Sequence, residues 1–412
     1  MGSGGEASFL PWLTGTAYLH SVMVQGRQGM LRVWNLSCCV PHLPSPSWYV
    51  ITRSGVLESV HAFTESGIGP LLLGFFALVV ATTVGLIAWR GDALRTPGSI
   101  ESPVSRTGAF LANNLLFGAF AFVVLLGTVF PLLVEAARGD RIAVGNPYFE
   151  RMTMPVGFAL LFLMAVAPAL PWGRGATEVL LTRLRWPAVA GAAAMVVAVT
   201  LGSRGWAPTL AVGLGAFAAG GAIRHLVLAV RARGLRGLVG RSSGGMVVHV
   251  GVAVVAVAFA CSSAFVRQAE FRFDEVGDSA TFAGHELVFD GLSTVELSEK
   301  TETRVAVVVD GDRFEPAISV FPFGGQTIGT PATRSTVRDD LQLAVLAVPD
   351  SLVSDQSGSE PGSVVVRVTV QPLVAWLWIG GAVMAIGTAL SFVPGAGSPT
   401  GRAKGREREQ VA

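Results

Sequence analysis

Charge and cysteine are the two things this chain has little of. Of its 412 residues only 14% are Asp, Glu, Lys or Arg, against about a quarter in an ordinary soluble domain, while 51% are hydrophobic. With its positive mean hydropathy, that composition reads as an integral membrane protein. The formal net charge of +2 gives no electrostatic footprint for nucleic acid, and the positive charge is nearly all arginine, gathered at the ends of apolar runs. The three cysteines, Cys38, Cys39 and Cys261, show no Cys-x-x-Cys spacing. That excludes a zinc site, a dithiol redox pair and a covalent haem-attachment motif, so thiol chemistry belongs to a partner. Signal-peptide features are missing too: Met1 to Ala7 is Gly-rich without a basic start, and the first apolar run is read as a retained span.

What is present is a series of uncharged apolar windows of about 20 residues. They lie near 8–24, 70–89, 109–130, 154–172, 187–203, 207–229, 244–266 and 371–393, with a weaker one near 33–52. Arginine groups recur between them: Arg27 and Arg32; Arg90, Arg95 and Arg106; Arg174, Arg183 and Arg185; Arg231, Arg233, Arg236 and Arg241. A final group holds Arg402, Lys404, Arg406 and Arg408. These fall on alternate sides, which places those loops in the cytoplasm and 53–69, 131–153, 204–206 and 267–370 outside. The stretch "CCVPHLPSPSWYV" at 38–50 has three prolines where the topology demands a crossing, and no regular helix survives that in lipid unaided.

Residues 267–370 change character. "ELVFDGL", "TRVAVVVDGDRF", "LQLAVLAV" and "SVVVRVTV" are short, Val-rich and alternating, with Gly, Asp and Pro between them. The fold class expected is a polytopic α-helical integral membrane protein carrying one extracytoplasmic β-rich domain. Its divisions are 1–52, with the first two spans; 53–69, an outer loop; 70–266, the helical region; 267–370, the β domain; 371–393, the last span; and 394–412, a basic cytoplasmic tail.

Six histidines remain to be placed. At about 1.5 Å per residue, His20 lies about 18 Å below the outer face if its span enters near Ser8, and His249 about 8 Å from the inner face if its span enters near Gly244. Both sit in the inner half of the bilayer. Two neutral imidazoles at similar depth suit the axial positions of a haem iron, with Gly244, Gly245 and Gly251 making room for the macrocycle. An isolated intramembrane imidazole is equally read as a hydrogen bonder between helices. His225 reads as an interfacial residue, His285 as an exposed turn residue of the β domain, and His42 falls in the proline-rich stretch. His61 lies beside an apolar stripe of Val56, Val60 and Phe63 with Leu57 that would lie on the outer membrane surface.

"ASFLPWLTGTAYLHS", "TRSGVLESVHAF", "NNLLFGAFAFVVLLGTVFPLL", "VGNPYFERMTMP" and "VRVTVQPLVAWLWIGG" together resemble the cytochrome c maturation family CcmF and its NrfE relatives, the membrane haem lyase subunits. The resemblance runs from about Ala7 to the last span and covers the C-terminal part of the family's length. It implies that His20 and His249 are the axial ligands of an intramembrane haem b, and that His61 is an outer-loop ligand to the substrate haem. Trp12 would be the edge of the family's Trp-rich haem-handling segment, whose body is replaced by "MGSGGE". A truncated start and a pair of compensating frame shifts around 38–50 are the expectations for those departures. The resemblance further implies a bacterial inner-membrane location. Its partners would be an apocytochrome c, a haem chaperone and thiol-reducing maturation proteins, besides membrane lipid.

The function expected is cytochrome c biogenesis, with transfer of haem to the apocytochrome on the outer face; no catalytic side chain is singled out. Two alternatives stand beside it. One is an NrfE-type lyase subunit serving nitrite reductase. The other is a haem or small-molecule transporter, against which stands the lack of a visible inverted repeat or paired broken helices. A third class, a β module on a bare membrane anchor, leaves two intramembrane histidines unexplained.

Overall fold

A computed structural model describes residues 3–28, 68–90, 102–139, 142, 144–172, 177–203, 205–321, 327–348 and 363–394. The expected crossing at 33–52, residues 53–67 of the expected outer loop with His61, the acidic stretch around 349–362 and the tail from 395 lie outside the described residues.

Eight long helices are described: α1 (Ser3–Gln28), α2 (Ile68–Arg90), α3 (Arg106–Arg138), α4 (Asn146–Val166), α5 (Thr177–Thr200), α6 (Trp206–Arg233), α7 (Arg241–Ala264) and, after the strands, α8 (Val374–Phe392). Six stretches, within α3, α5, α7, α8, α4 with its 3-10 extension to Ala169, and α6 with the turn to Leu238, are long and apolar enough to cross a membrane. The windows expected at 8–24 and 70–89 fall in α1 and α2. α1 is the more polar of these, since Thr14, Thr16, Tyr18, His20 and Ser21 interrupt its apolar residues. Thr14 and Thr16 return their hydroxyls to backbone carbonyls within the helix, at 3.1 Å to Leu10 and 2.8 Å to Trp12, which satisfies them without water.

The chain divides into two units. In the first, α1 packs along α3 through Leu10, Leu13, Ala17, Phe117 and Val124. α3 in turn receives α4 at Gly127, where any Cβ would stand within 3 Å of the rings of Tyr148 and Phe149. The Tyr148 hydroxyl donates to the Val123 carbonyl at 3.2 Å. α4 ends in a 3-10 turn (Ala167–Ala169) because Pro168 and Pro171 cannot continue the hydrogen-bond ladder. Two arginines satisfy the carbonyls this releases: Arg106 Nη2 donates to Pro168 at 2.5 Å and Arg183 Nη1 to Ala169 at 2.8 Å. Both were legible as markers of sidedness; the structure adds a capping role.

In the second unit, α7 and α8 run against each other along a seam of small residues. A Cβ on Gly244 would meet Ser391 Oγ and the Gly387 carbonyl, and one on Gly251 would meet Met384 and the Gly380 carbonyl. The backbones therefore touch, as small residues allow in apolar surroundings. Between these helices stands a β sandwich of two antiparallel sheets. One orders β1 (Arg267–Phe273), β10 (Val364–Pro372), β9 (Asp339–Ala347) and β8 (Ala332–Ser335). The other orders β2 (Ser279–Phe282), β3 (His285–Glu296), β4 (Thr301–Val309), β6 (Ala317–Val320) and β7 (Thr327–Thr330), with β5 (Asp312–Phe314) also on β4. Alternation buries Val305, Val307 and Val309 of β4 and Val364, Val366, Val368 and Val370 of β10 in one shared core with Phe273, Leu287 and Leu343. Asp310 and Gly311, both at positive φ, make the two-residue turn between β4 and β5. The sandwich is tied to its helices at two points: Gln371 Nε2 donates to Ser262 Oγ at 2.7 Å, and Trp376 Nε1 to the Val337 carbonyl at 3.0 Å.

Candidate functional site

His20 sits on α1 facing α3, half-buried between Phe110 (centroids 5.4 Å apart) and Phe117 (6.2 Å, near-parallel). Its Nδ1 is 2.9 Å from the side-chain amide of Asn113. The next residue on each helix forms a second link, Asn114 Nδ2 donating to Ser21 Oγ at 2.6 Å, and both Asn114 and Ser21 are fully enclosed. The Asn114 amide is buried and the Asn113 amide half-buried at the helix contact, and both are paired, as burial of a polar group requires. Helix spacing explains the pattern: positions 17, 20 and 21 of α1 and 110, 113, 114 and 117 of α3 each share a face. Beyond His20 a chain of rings continues, with Phe110 on Trp172 (6.1 Å) and the Arg106 guanidinium over Trp172 (5.1 Å).

His249 is carried by α7 in the other unit, half-buried. Gly245, one turn earlier on the same face, has nothing within 4 Å of the place a Cβ would occupy. Gly244 and Gly251 do not share that role. They were expected to make room for a bound macrocycle, but they face α8 and their space is filled by its backbone.

Trp12 is exposed and stacks on Phe9 (6.1 Å), which meets Phe120 edge-on. His61 lies outside the described residues. His285 is not the exposed turn residue expected: it opens β3 and pairs through Nδ1 with Asp310 Oδ2 at 2.6 Å, with 22% of its side chain exposed. Sequence reading overlooked Asn113 and Asn114. Their signal was available, since two adjacent amides in an otherwise apolar membrane-length helix demand partners.

No family model matches the chain. The cytochrome c-type biogenesis protein CcmF of Pseudomonas aeruginosa is 31% identical over 394 residues, covering 94% of this chain and 59% of that protein. The cytochrome c-type biogenesis protein CycK of Bradyrhizobium diazoefficiens is likewise 31% identical, with the same coverage of each. A solved structure named Cytochrome c Heme Lyase CcmF superposes with a TM-score of 0.71 at 28% identity, over 94% of this chain and 59% of that one.

The chain is a relative of the CcmF proteins, similar to them over 94% of its own length. It spans about three-fifths of the length of these curated relatives. The probable cytochrome c-type biogenesis protein NrfE of Escherichia coli is also similar, 36% identical over 168 residues, which cover 39% of this chain and 30% of that protein.

The ligand chemistry of a haem fits His20 and His249. A neutral imidazole binds iron through one ring nitrogen while the other is held by a hydrogen-bonding group. The Asn113 amide stands 2.9 Å from Nδ1 of His20; with its carbonyl oxygen turned to the ring it would accept from Nδ1–H and leave Nε2 as the coordinating atom. Gly245 keeps open the ground beside His249.

Proposed function

We propose that this chain acts in cytochrome c biogenesis as the haem-handling part of a CcmF-type haem lyase, in the inner membrane of a bacterium. His20 and His249 are the axial ligands of one non-covalent haem b within the membrane. His61 is a ligand to the substrate haem on the outer face, with Trp12 at the edge of the surface that receives it. Apocytochrome c supplies the thiols; a haem chaperone delivers the substrate, and thiol-reducing proteins keep the cysteines ready.

The observation that carries the reading is the engagement of His20: an imidazole enclosed by two phenylalanines with Nδ1 fixed by an amide is oriented as a ligand is. Helix geometry supports the pairing with His249. Measured at about 1.5 Å per residue, His20 is about 12 Å from the Gln28 end of α1 and His249 about 12 Å from the Arg241 end of α7. Both ends carry the arginines read as cytoplasmic, which supports the pairing. The bound haem supplies an iron centre for electron exchange. The protein's part is to hold two neutral imidazoles in low dielectric and to exclude water from them.

The test is the optical spectrum of the purified protein with His20→Ala and His249→Ala. A low-spin bis-histidine spectrum is expected from the parent, lost or turned high-spin in each variant. If both variants keep the parent's spectrum, the assignment is wrong. A second reading, an NrfE-type subunit, draws on the 36% identity shared over 168 residues. Complementation of strains lacking one or the other lyase separates the two by which cytochrome regains covalent haem.

A further inference from the structure

Resting on the haem reading above, we infer that Asn113 is a positioning residue that sets the tautomer and the basicity of His20 toward iron. A neutral imidazole carries one proton. When Nε2 gives its lone pair to a metal, the proton resides on Nδ1 and needs an acceptor. The group 2.9 Å from that Nδ1 is the Asn113 amide, and half a turn of the amide presents either its NH2 or its carbonyl oxygen. With Nδ2 toward the ring, Asn113 donates to Nδ1 and keeps the ring proton on Nε2. With Oδ1 toward the ring, it accepts from Nδ1–H and frees the Nε2 lone pair. An amide thus serves the imidazole with and without metal.

Other side chains would serve it worse. A carboxylate accepts only, and its charge draws the Nδ1 proton, making His20 a more electron-donating ligand. A leucine accepts nothing and leaves Nδ1–H unsatisfied in apolar surroundings. The neighbouring amide has a separate task. Asn114 is committed to Ser21 at 2.6 Å, which holds α1 and α3 in register, whereas its contact with Asn113 is only a long 3.4 Å. Asn113 is thereby left to address the ring.

The test compares the full-length protein with Asn113→Asp, Asn113→Leu and the control Ser21→Ala by potentiometric titration of the bound haem. Asn113→Asp should lower the midpoint potential, because an anionic acceptor stabilises the ferric state. Asn113→Leu should raise it and shorten haem retention. Ser21→Ala, which removes only the interhelical clamp, should lower thermal stability and leave the potential in place. Unchanged potentials in both Asn113 variants, with haem fully bound, overturn the proposal alone. A colourless parent protein, or a His20→Ala variant with the parent's spectrum, overturns the haem reading and this proposal with it.

Discussion

Glu302 shows how a single side chain is set by its neighbours. Its carboxylate accepts from Lys300 Nζ at 2.5 Å and from Arg304 Nε at 2.7 Å, with Lys300 also reaching Ser319. The Lys300 hydrogen bond first, and the Arg304 bond second, hold its pKa down from 4.5 to about 2. A depressed carboxylate contributes stability that is complete above its unfolded value and is lost as pH falls through the folded one. The thermal midpoint of the β sandwich should therefore drop between pH 4.5 and pH 2, and Glu302→Gln should lower the midpoint at pH 7 and flatten that drop. Circular dichroism melts across this range measure both. Asp310 behaves alike, its carboxyl lowered by the His285 hydrogen bond and then by the Glu286 backbone amide. Asp310→Asn keeps the turn, since Asn tolerates the left-handed conformation there, and should remove that acid sensitivity. These pairs were not equally legible beforehand. Lys300, Glu302 and Arg304 meet as alternate residues of one strand face, whereas Asp310 reaches His285 only through the register of β3 on β4.

Between elements the decisive contact is the seam of α7 and α8. Gly244, Gly251, Gly380 and Gly387 let the two backbones touch, and a larger side chain must push them apart. Gly251→Leu should cost about 1–3 kcal/mol as overpacking, and more where the backbone cannot shift. Gly381→Ala, on a face with nothing within 4 Å, should be tolerated. Thermal unfolding in detergent compares the two; equal midpoints would show that the seam does not govern stability. Helix existence was readable from apolar length alone, because each span is continuous and almost free of charge. The partner of each glycine was not, since a glycine reads the same whether it opens space, as at Gly245, or closes it, as at Gly244. For the same reason the windows "ELVFDGL" and "SVVVRVTV" announced strands, while the short polar β7 and β8 gave no signal and formed only because β6 and β9 offered them edges.

For the molecule as a whole, sidedness is the remaining proposal. Within the second unit the Arg-rich turn before α7 meets the far end of α8, Gly240 donating to the Leu390 carbonyl at 3.0 Å, while the sandwich joins the opposite ends of both helices. On a cysteine-free background, Ser298→Cys should react with an impermeant maleimide in intact cells and Leu235→Cys only after lysis; the reverse pattern would invert the topology. The sequence by itself determined the solvent: with so little charge and so many apolar windows, burial in lipid is the one setting that satisfies the composition, and alternation in 267–370 separates the sandwich from the helices. It also singled out His20 and His249, because an ionisable group in an apolar span is costly enough to stand out. Only the tertiary structure decided what surrounds them. That Asn113 addresses the His20 ring while Asn114 holds Ser21 follows from how α1 is rotated against α3, and that rotation is set by packing of Leu10, Leu13, Ala17, Phe117 and Val124, a property of two helices together.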